Sequence, residues 1–472
     1  MDFRFLDKDL DKVANAESAG VYSTRPLLRL GLALTFAAAV TVAGAVATGA
    51  GGSWMLAAGL MVGAFLALSI GASDVDNALG PAFGAGAVSM RAGLVSVALA
   101  EIAGALTAGA RVSETLSTGI LRPELVAGGG TAPVMPAVML AAMLAAALWI
   151  WLATWAGAPV STTHAIVGGI AGAGVARLGL DAPHWAGVAR IAMGWVASPL
   201  IAAVIGAALL AFLRARIHHA PDRIAAAMRW LPRVVGAGAA VLAAYALTLW
   251  GAPGRPALAL APVALTSVAA WWATRARMRS QRMAGLRPRE ATERLFGPSL
   301  IAAALLIGFG HGANDVGNVV APLAVIARAG DVGAALPAAP VWLATGALGF
   351  ALGAALYGRR LVRMVGSRIT RLNPARALCV SLATALVLLG ATWLGLPVST
   401  THVAVGGVFG VGFYREWDER RTQRSQREAL PPEELHRRQL VRRTAVLRTL
   451  AAWAVTVPIS GSLAAAISWA MG

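Results

Sequence analysis

PVSTTH occupies residues 159–164, and the same six letters return at 397–402. A second pair accompanies it: GASDVDNALGP from Gly71 and GANDVGNVVAP from Gly312. Asp74 and Asp315 are 241 positions apart, and Ser161 and Ser399 are 238 apart. The order of motifs is the same in both halves. The glycines that follow also correspond, with Gly168, Gly169, Gly172 and Gly174 matched by Gly406, Gly407, Gly410 and Gly412. Agreement on that scale marks an internal duplication.

The chain around these motifs is 58% hydrophobic and 13% charged, about half the charge of an ordinary soluble domain. Apolar segments long enough to cross a bilayer as helices recur along the whole length. They lie near 27–50, 54–90, 92–110, 134–156, 160–176, 187–213, 234–250, 256–273, 299–327, 338–358, 375–395, 397–414 and 446–471. The expectation is an all-α polytopic membrane protein with about 12–13 spans, two of them (54–90 and 299–327) broken or re-entrant. The run 27–50 is long enough to remain as an uncleaved anchor.

A net charge of +18 would suit nucleic acid, but its distribution does not. Of 40 Lys and Arg, 28 fall in 214–233, 275–294, 359–376 and 415–448, all between spans. The positive-inside rule accounts for them without a nucleic-acid partner. The same charges orient the halves. Loop 359–376 has six Arg and no acid, while its counterpart 111–133 has two Arg and two Glu. Loop 415–448 has ten Arg against two in 177–190. Equivalent loops therefore face opposite sides, so the repeats are inverted, with the N-terminus cytoplasmic in a cell membrane. Inverted repeats are an architecture of secondary transporters, with the site near the midplane between them. The chain divides into an N-terminal segment with an additional span (1–53), a first repeat (54–213), a connector with a hairpin (214–298) and a second repeat (299–471).

Among 22 acidic residues, only Asp74, Asp76, Glu101 and Asp315 fall within spans. A carboxylate inside a membrane costs several kcal/mol unless it is paired, protonated or cation-bound, so each is a functional candidate. Asp74 precedes Asn77, and Asp315 precedes Asn318, by about one helical turn, so acid and amide share a face. Glycine and proline around them favour interrupted helices whose free N–H groups attract anions. Pro159 and Pro397 suit a helix start. Behind them Ser161, Thr162, Thr163 and Ser399, Thr400, Thr401 place hydroxyls at a positive helix end, a setting for a tetrahedral oxyanion. Ser and Thr also serve as plain helix caps, but a cap needs one hydroxyl rather than three in each half. His164 and His402 fit structural hydrogen bonding better than proton carriage, and the glycines that follow serve close helix packing.

No Lys or Arg stands inside any motif. Dipoles and a co-transported cation can hold an anion and also release it, whereas a buried fixed cation would retain it. An aspartate repels fully ionised sulfate but can accept a hydrogen bond from the protonated oxygen of hydrogen phosphate or share a cation with it. Na⁺ would find hard oxygen ligands at Asp74, Asn77, Asp315 and Asn318. Asp76 and Glu101, which have no acidic counterpart, are candidates for ion coupling.

These residues resemble the inorganic phosphate transporter (PiT) family, whose signature is similar to G-A-N-D-x-x-N partnered by P-V-S-T-T-H. HGANDVGNVVAP from His311 and the approach Glu293-Arg-Leu-Phe296 carry the likeness, which covers about 54–471. The resemblance implies symport of phosphate with Na⁺ or H⁺ through inverted repeats. Carried over by position, the substrate and ion site comprises Asp74, Asn77, Ser161, Thr162, Thr163, Asn314, Asp315, Asn318, Ser399, Thr400 and Thr401. Two positions depart: Ser73 stands where an amide is usual, and Asp76 stands where a small residue is usual.

The expected function is import of inorganic phosphate by cation symport through alternating access, with sulfate or another tetrahedral oxyanion as the alternative substrate. No cofactor beyond the coupling cation is implied. The lone Cys379 offers no disulfide or thiolate site. HExxH, a cysteine cluster and a P-loop are absent, so an enzyme is not expected. The sequence leaves the oligomeric state open, a homo-oligomer included.

Overall fold

The computed structural model describes residues 4–49, 53–126, 134–158, 160–249, 256–282, 284–329, 339–364, 373–426 and 443–471. These form helices and no strand. They are α1 (Arg4–Thr48), α2 (Trp54–Gly84), α3 (Met90–Ala108), α4 (Ala110–Thr118), α5 (Pro123–Val126), α6 (Met135–Ala156), α7 (Thr162–Leu178), α8 (Trp185–Leu213), α9 (Arg223–Leu249) and α10 (Pro256–Arg279). The series continues with α11 (Pro288–Leu295), α12 (Gly297–Asp315), α13 (Gly317–Ala329), α14 (Ala339–Tyr357), α15 (Arg359–Met364), α16 (Pro374–Trp393), α17 (Thr400–Gln426) and α18 (Arg443–Ala470). Among the described residues, ten stretches are long and apolar enough to cross a membrane. The protein is therefore a multi-span membrane protein. The sequence spans 160–176, 256–273 and 397–414 fall in α7, α10 and α17, which are not among those ten.

Local chemistry sets the helix ends. Ser53, Ser89 and Asn373 cap α2, α3 and α16, each accepting from a backbone N–H three residues on. Ser161 and Ser399 do the same ahead of α7 and α17, so one hydroxyl of each triplet is a cap. Just upstream, Gly157 (φ 70°) and Gly395 (φ 67°) occupy matched places, 238 residues apart, in the left-handed region that closes the preceding helix. Pro159 lies outside the described residues.

One expectation needs correcting. Helix α2 runs unbroken from Trp54 through Asp74 to Gly84. Pro81 lies in its last turn, where the lost N–H interrupts little of the helix behind it. Only the second-repeat counterpart is interrupted, at Val316 between α12 and α13, and there the Val316 N–H still bonds the Gly312 carbonyl at 3.3 Å. The basic stretch 415–448 is partly helical. Helix α17 continues to Gln426 and α18 begins at Arg443, with 427–442 outside the described residues.

The repeats interlock by exchange. Helix α3 of the first packs on α12 of the second, and α14 of the second packs on α2 of the first. Likewise α7 packs on α18 and α17 on α8. Glycine makes the first exchange close: a Cβ at Gly312 would overlap the Glu101 carbonyl, and one at Gly71 would overlap the Phe350 carbonyl. Gly168 and Gly172 against α18, and Gly406 and Gly410 against α8, allow the second exchange in the same way.

Two large apolar clusters fill most of the interior, with a small third around Ala108, Tyr245, Ala313 and Leu389. One gathers α6, α7 and α13 with the first part of α2, and the other gathers α16, α17 and α12 with its last part. Helix α2 changes cluster between Ile70 and Val75, and the α12–α13 pair changes between Ile307 and Val316. Helix α3 changes between Val97 and Ala105. Asp74, Asp315 and Glu101 each lie at a changeover, on a seam between the two packing units.

Candidate functional site

The seam holds the motifs. Asp74, Asn314, Asp315, Asn318, Ser161, Thr162, Thr163, Ser399, Thr400 and Thr401 are all buried, and Asn77 is half-buried. Each repeat's carboxylate is held by a hydroxyl from the other. Thr162 Oγ1 donates to Asp315 Oδ2 at 3.1 Å, and Thr401 Oγ1 donates to Asp74 Oδ1 at 3.2 Å. The amide of Asn77 donates to Thr401 Oγ1 at 3.0 Å and to Asp74 Oδ1 at 3.3 Å. One helical turn between Asp74 and Asn77 puts both on the same face, as the spacing predicts.

The duplication is not followed atom for atom. Thr162 corresponds in sequence to Thr400, yet the hydroxyl reaching Asp74 belongs to Thr401. Thr163, the counterpart of Thr401, donates instead to the Val398 carbonyl at 3.2 Å. This leaves Thr400 Oγ1 buried without a partner, together with Asp74 Oδ2, Asp315 Oδ1 and both polar atoms of the Asn318 amide. Buried polar atoms are normally satisfied, so this group of unmatched donors and acceptors fits a polar ligand. Carboxylate, amide and hydroxyl oxygens suit a hard cation, and hydroxyl and amide donors suit an oxyanion.

Asn314 is engaged differently. Its amide donates to Thr392 Oγ1 at 3.1 Å and to the Leu396 carbonyl at 3.0 Å, and its oxygen accepts from the Val398 N–H at 3.1 Å. It clamps the segment leading into α17 and so positions the second hydroxyl triplet. Ser73, its half-buried counterpart, is too short to do the same for the first.

The residue that sequence reasoning missed is His311. It lies buried between the acids, with Nδ1 2.8 Å from Glu101 Oε1 and Nε2 3.3 Å from Asp315 Oδ2 and 3.8 Å from Asp74 Oδ2. Polar atoms of Asp74, His311 and Asp315 all fall within 4.8 Å of one another. The repeat carried a signal for His311 itself but not for its partner. His311 matches Ile70, and the glycine contacts match Glu101 with Phe350, so a polar pair stands at one crossing where the other is apolar. Phe350 completes the group by stacking on His311 at 5.5 Å. Glu101, read from the sequence as a lone intramembrane acid, is therefore part of the cluster. Asp76 lies two residues from Asp74, about 200° around the helix, and is half-buried.

His164 and His402 meet where α7 and α17 begin. Their rings lie 4.4 Å apart, His164 rests on Trp195 at 3.8 Å and His402 on Trp453 at 3.5 Å. Trp195 also donates to the Pro397 carbonyl at 3.2 Å. These four rings form a symmetric wedge that fixes both hydroxyl-bearing helix starts, in keeping with a structural role for the two histidines.

The chain resembles known proteins over most of its length. The phosphate transporter family matches residues 70–464. A Helicobacter pylori protein provisionally named a phosphate permease is 35% identical over 422 residues, covering 86% of this chain and 78% of its own. Inorganic phosphate transporter 2-1, chloroplastic, of Arabidopsis thaliana is 30% identical over 447 residues, covering 87% and 71%. The solved structure of a sodium-dependent phosphate transporter superposes with a TM-score of 0.77 at 27% identity, over 89% of this chain and 99% of that one. With its motifs, its exchanged repeats and these matches, the chain belongs to the phosphate transporter family.

Proposed function

We propose that this protein imports inorganic phosphate across the cell membrane, its N-terminus cytoplasmic, driven by co-transport of Na⁺ or H⁺. The observation that carries the reading is the crosswise pairing of Thr162 with Asp315 and Thr401 with Asp74 at a buried seam. Hydrogen phosphate would accept hydrogen bonds from the hydroxyl of Thr400 and the amide of Asn318, and its own O–H would donate a hydrogen bond to a carboxylate oxygen. A cation would bind the buried carboxylate oxygens that have no hydrogen-bond partner, Asp74 Oδ2 and Asp315 Oδ1, and offset the charge of acid and anion. The inverted repeats that this reading assigns to 54–213 and 299–471 would then rock as two units about the seam. That motion would expose the site to one side of the membrane at a time, which is alternating access.

Family membership, the phosphate transporter name of the Arabidopsis thaliana relative and the sodium-dependent phosphate transporter among solved structures all support this assignment. Those relatives are transporters, which argues against an enzyme. The acids favour phosphate over sulfate, because sulfate carries no proton near neutral pH with which to bond a carboxylate. Proteoliposome uptake of labelled phosphate, competed with sulfate, tests the choice. Competition weak even at a hundredfold excess of sulfate is expected, and equal competition would move the assignment to a general oxyanion carrier.

A further inference from the structure

The four basic stretches are explained by membrane sidedness, but sidedness does not require them to meet. They do meet. A cavity of about 430 Å³ takes Arg214 and Arg223 from the first stretch, Arg289 from the second, Arg376 from the third and Arg415 from the fourth, with Glu293 and Glu419 as its acids. Its floor is apolar, formed by Leu210, Leu213, Ile217, Phe296 and Ala375.

Part of this charge is already paired. Arg415 pairs with Glu419, Arg289 with Glu293 at 3.0 Å, and Arg214 with Asp418 at 2.8 Å. Arg376 is held by Asn373, whose Oδ1 accepts from its Nε at 3.0 Å. That leaves Arg376 Nη1 and Arg214 Nε buried with no hydrogen-bond partner. Two unmatched guanidinium donors, a remaining positive excess and an apolar floor describe a receptor for an anion with a hydrophobic neighbour. The cavity is not the transport site: Arg415 lies 15 residues along α17 from Thr400, about 22 Å at 1.5 Å per residue.

We propose that this cavity is a second anion site, specific for a phosphoryl oxyanion and separate from the transport site. Planar arginine forks match phosphoryl oxygens in pairs, so the ligand is either the headgroup of an anionic phospholipid or free phosphate. A bound anion joins α8, α9, α11, α16 and α17 at one end of the molecule and so loads one packing unit of the seam.

The test uses the full-length protein in nanodiscs, with Arg376→Gln and the exposed Arg223→Gln beside wild type. In the first arm, phosphatidylglycerol is added to phosphatidylcholine discs and Tm is read. A headgroup ligand raises the wild-type Tm by several degrees, and both variants lose that rise. In the second arm, radiolabelled inorganic phosphate is titrated into phosphatidylcholine discs. A free-phosphate ligand gives a second binding event that both variants lose, while Asp315→Asn loses only the first. Loss in either arm supports the site and names its ligand. A Tm rise and phosphate stoichiometry unchanged from wild type in the variants would overturn it. If Arg376→Gln does not fold, Arg223→Gln, on the exposed rim, carries the test alone.

Discussion

At the residue scale the cluster is held by charge-assisted hydrogen bonds that cross between repeats. Asp315→Asn keeps the shape but removes the charge that Thr162 bonds and that a cation would bind. Phosphate uptake should fall roughly 10- to 100-fold, the worth of one such bond, with Tm little changed. Wild-type uptake would remove Asp315 from the mechanism. Asp76, facing away from Asp74 by helix geometry, should behave otherwise: Asp76→Ala is expected to leave phosphate affinity within about twofold, whatever it does to cation dependence. A larger loss of affinity, measured by uptake kinetics, would place it in the substrate site. His311 and Glu101 form a buried pair, so removing Glu101 leaves His311 Nδ1 without its partner. Glu101→Met should cost about 3–5 kcal/mol, and adding His311→Leu should restore only part of it, because an apolar pair serves the equivalent crossing at Ile70 and Phe350 but His311 also faces Asp315 at 3.3 Å. Thermal unfolding of the single and double variants in detergent would show no recovery if the pair were not the cause.

At the element scale, the decisive feature is that α3 and α12 touch backbone to backbone. Gly312→Ala would drive a methyl into the Glu101 carbonyl, part α3 from α12 and loosen the His311–Glu101 contact. Overpacking of this kind costs about 1–3 kcal/mol and should lower Tm and uptake together. Gly238→Ala is the control: its Cβ meets only the flexible end of Leu306, at 3.1 Å, and a helical alanine is favoured by about 1 kcal/mol. Equal damage from both substitutions would deny the close crossing its special role. Much of this element-level order was legible in the sequence, because duplicated motifs and glycines state which helices correspond. The helix break was not. Gly80, Pro81, Gly312 and Pro322 look alike as breakers, but whether backbone bonds survive depends on where in the helix each residue falls. The His311–Glu101 pair was also hidden, since the two residues are 210 positions apart and come together only through tertiary packing.

At the scale of the whole molecule, the two apolar clusters meet along a line marked by Asp74, Glu101 and Asp315. A packed core resists deformation, whereas a seam of small polar groups and glycines can shift by changing partners. Rigidity therefore belongs to the clusters, and ligand-dependent movement is expected along the line between them. Composition and charge revealed the membrane and the repeats. The seam could not be read from them, because it depends on which apolar side chains end up in contact. On the proposed function, phosphate moves through this seam only together with a cation. The most direct test is phosphate uptake by purified protein in proteoliposomes under an imposed inward gradient of Na⁺ or of protons. Accumulation above the external concentration is expected with one of these gradients and simple equilibration without either. Equal uptake under every gradient would contradict this coupling.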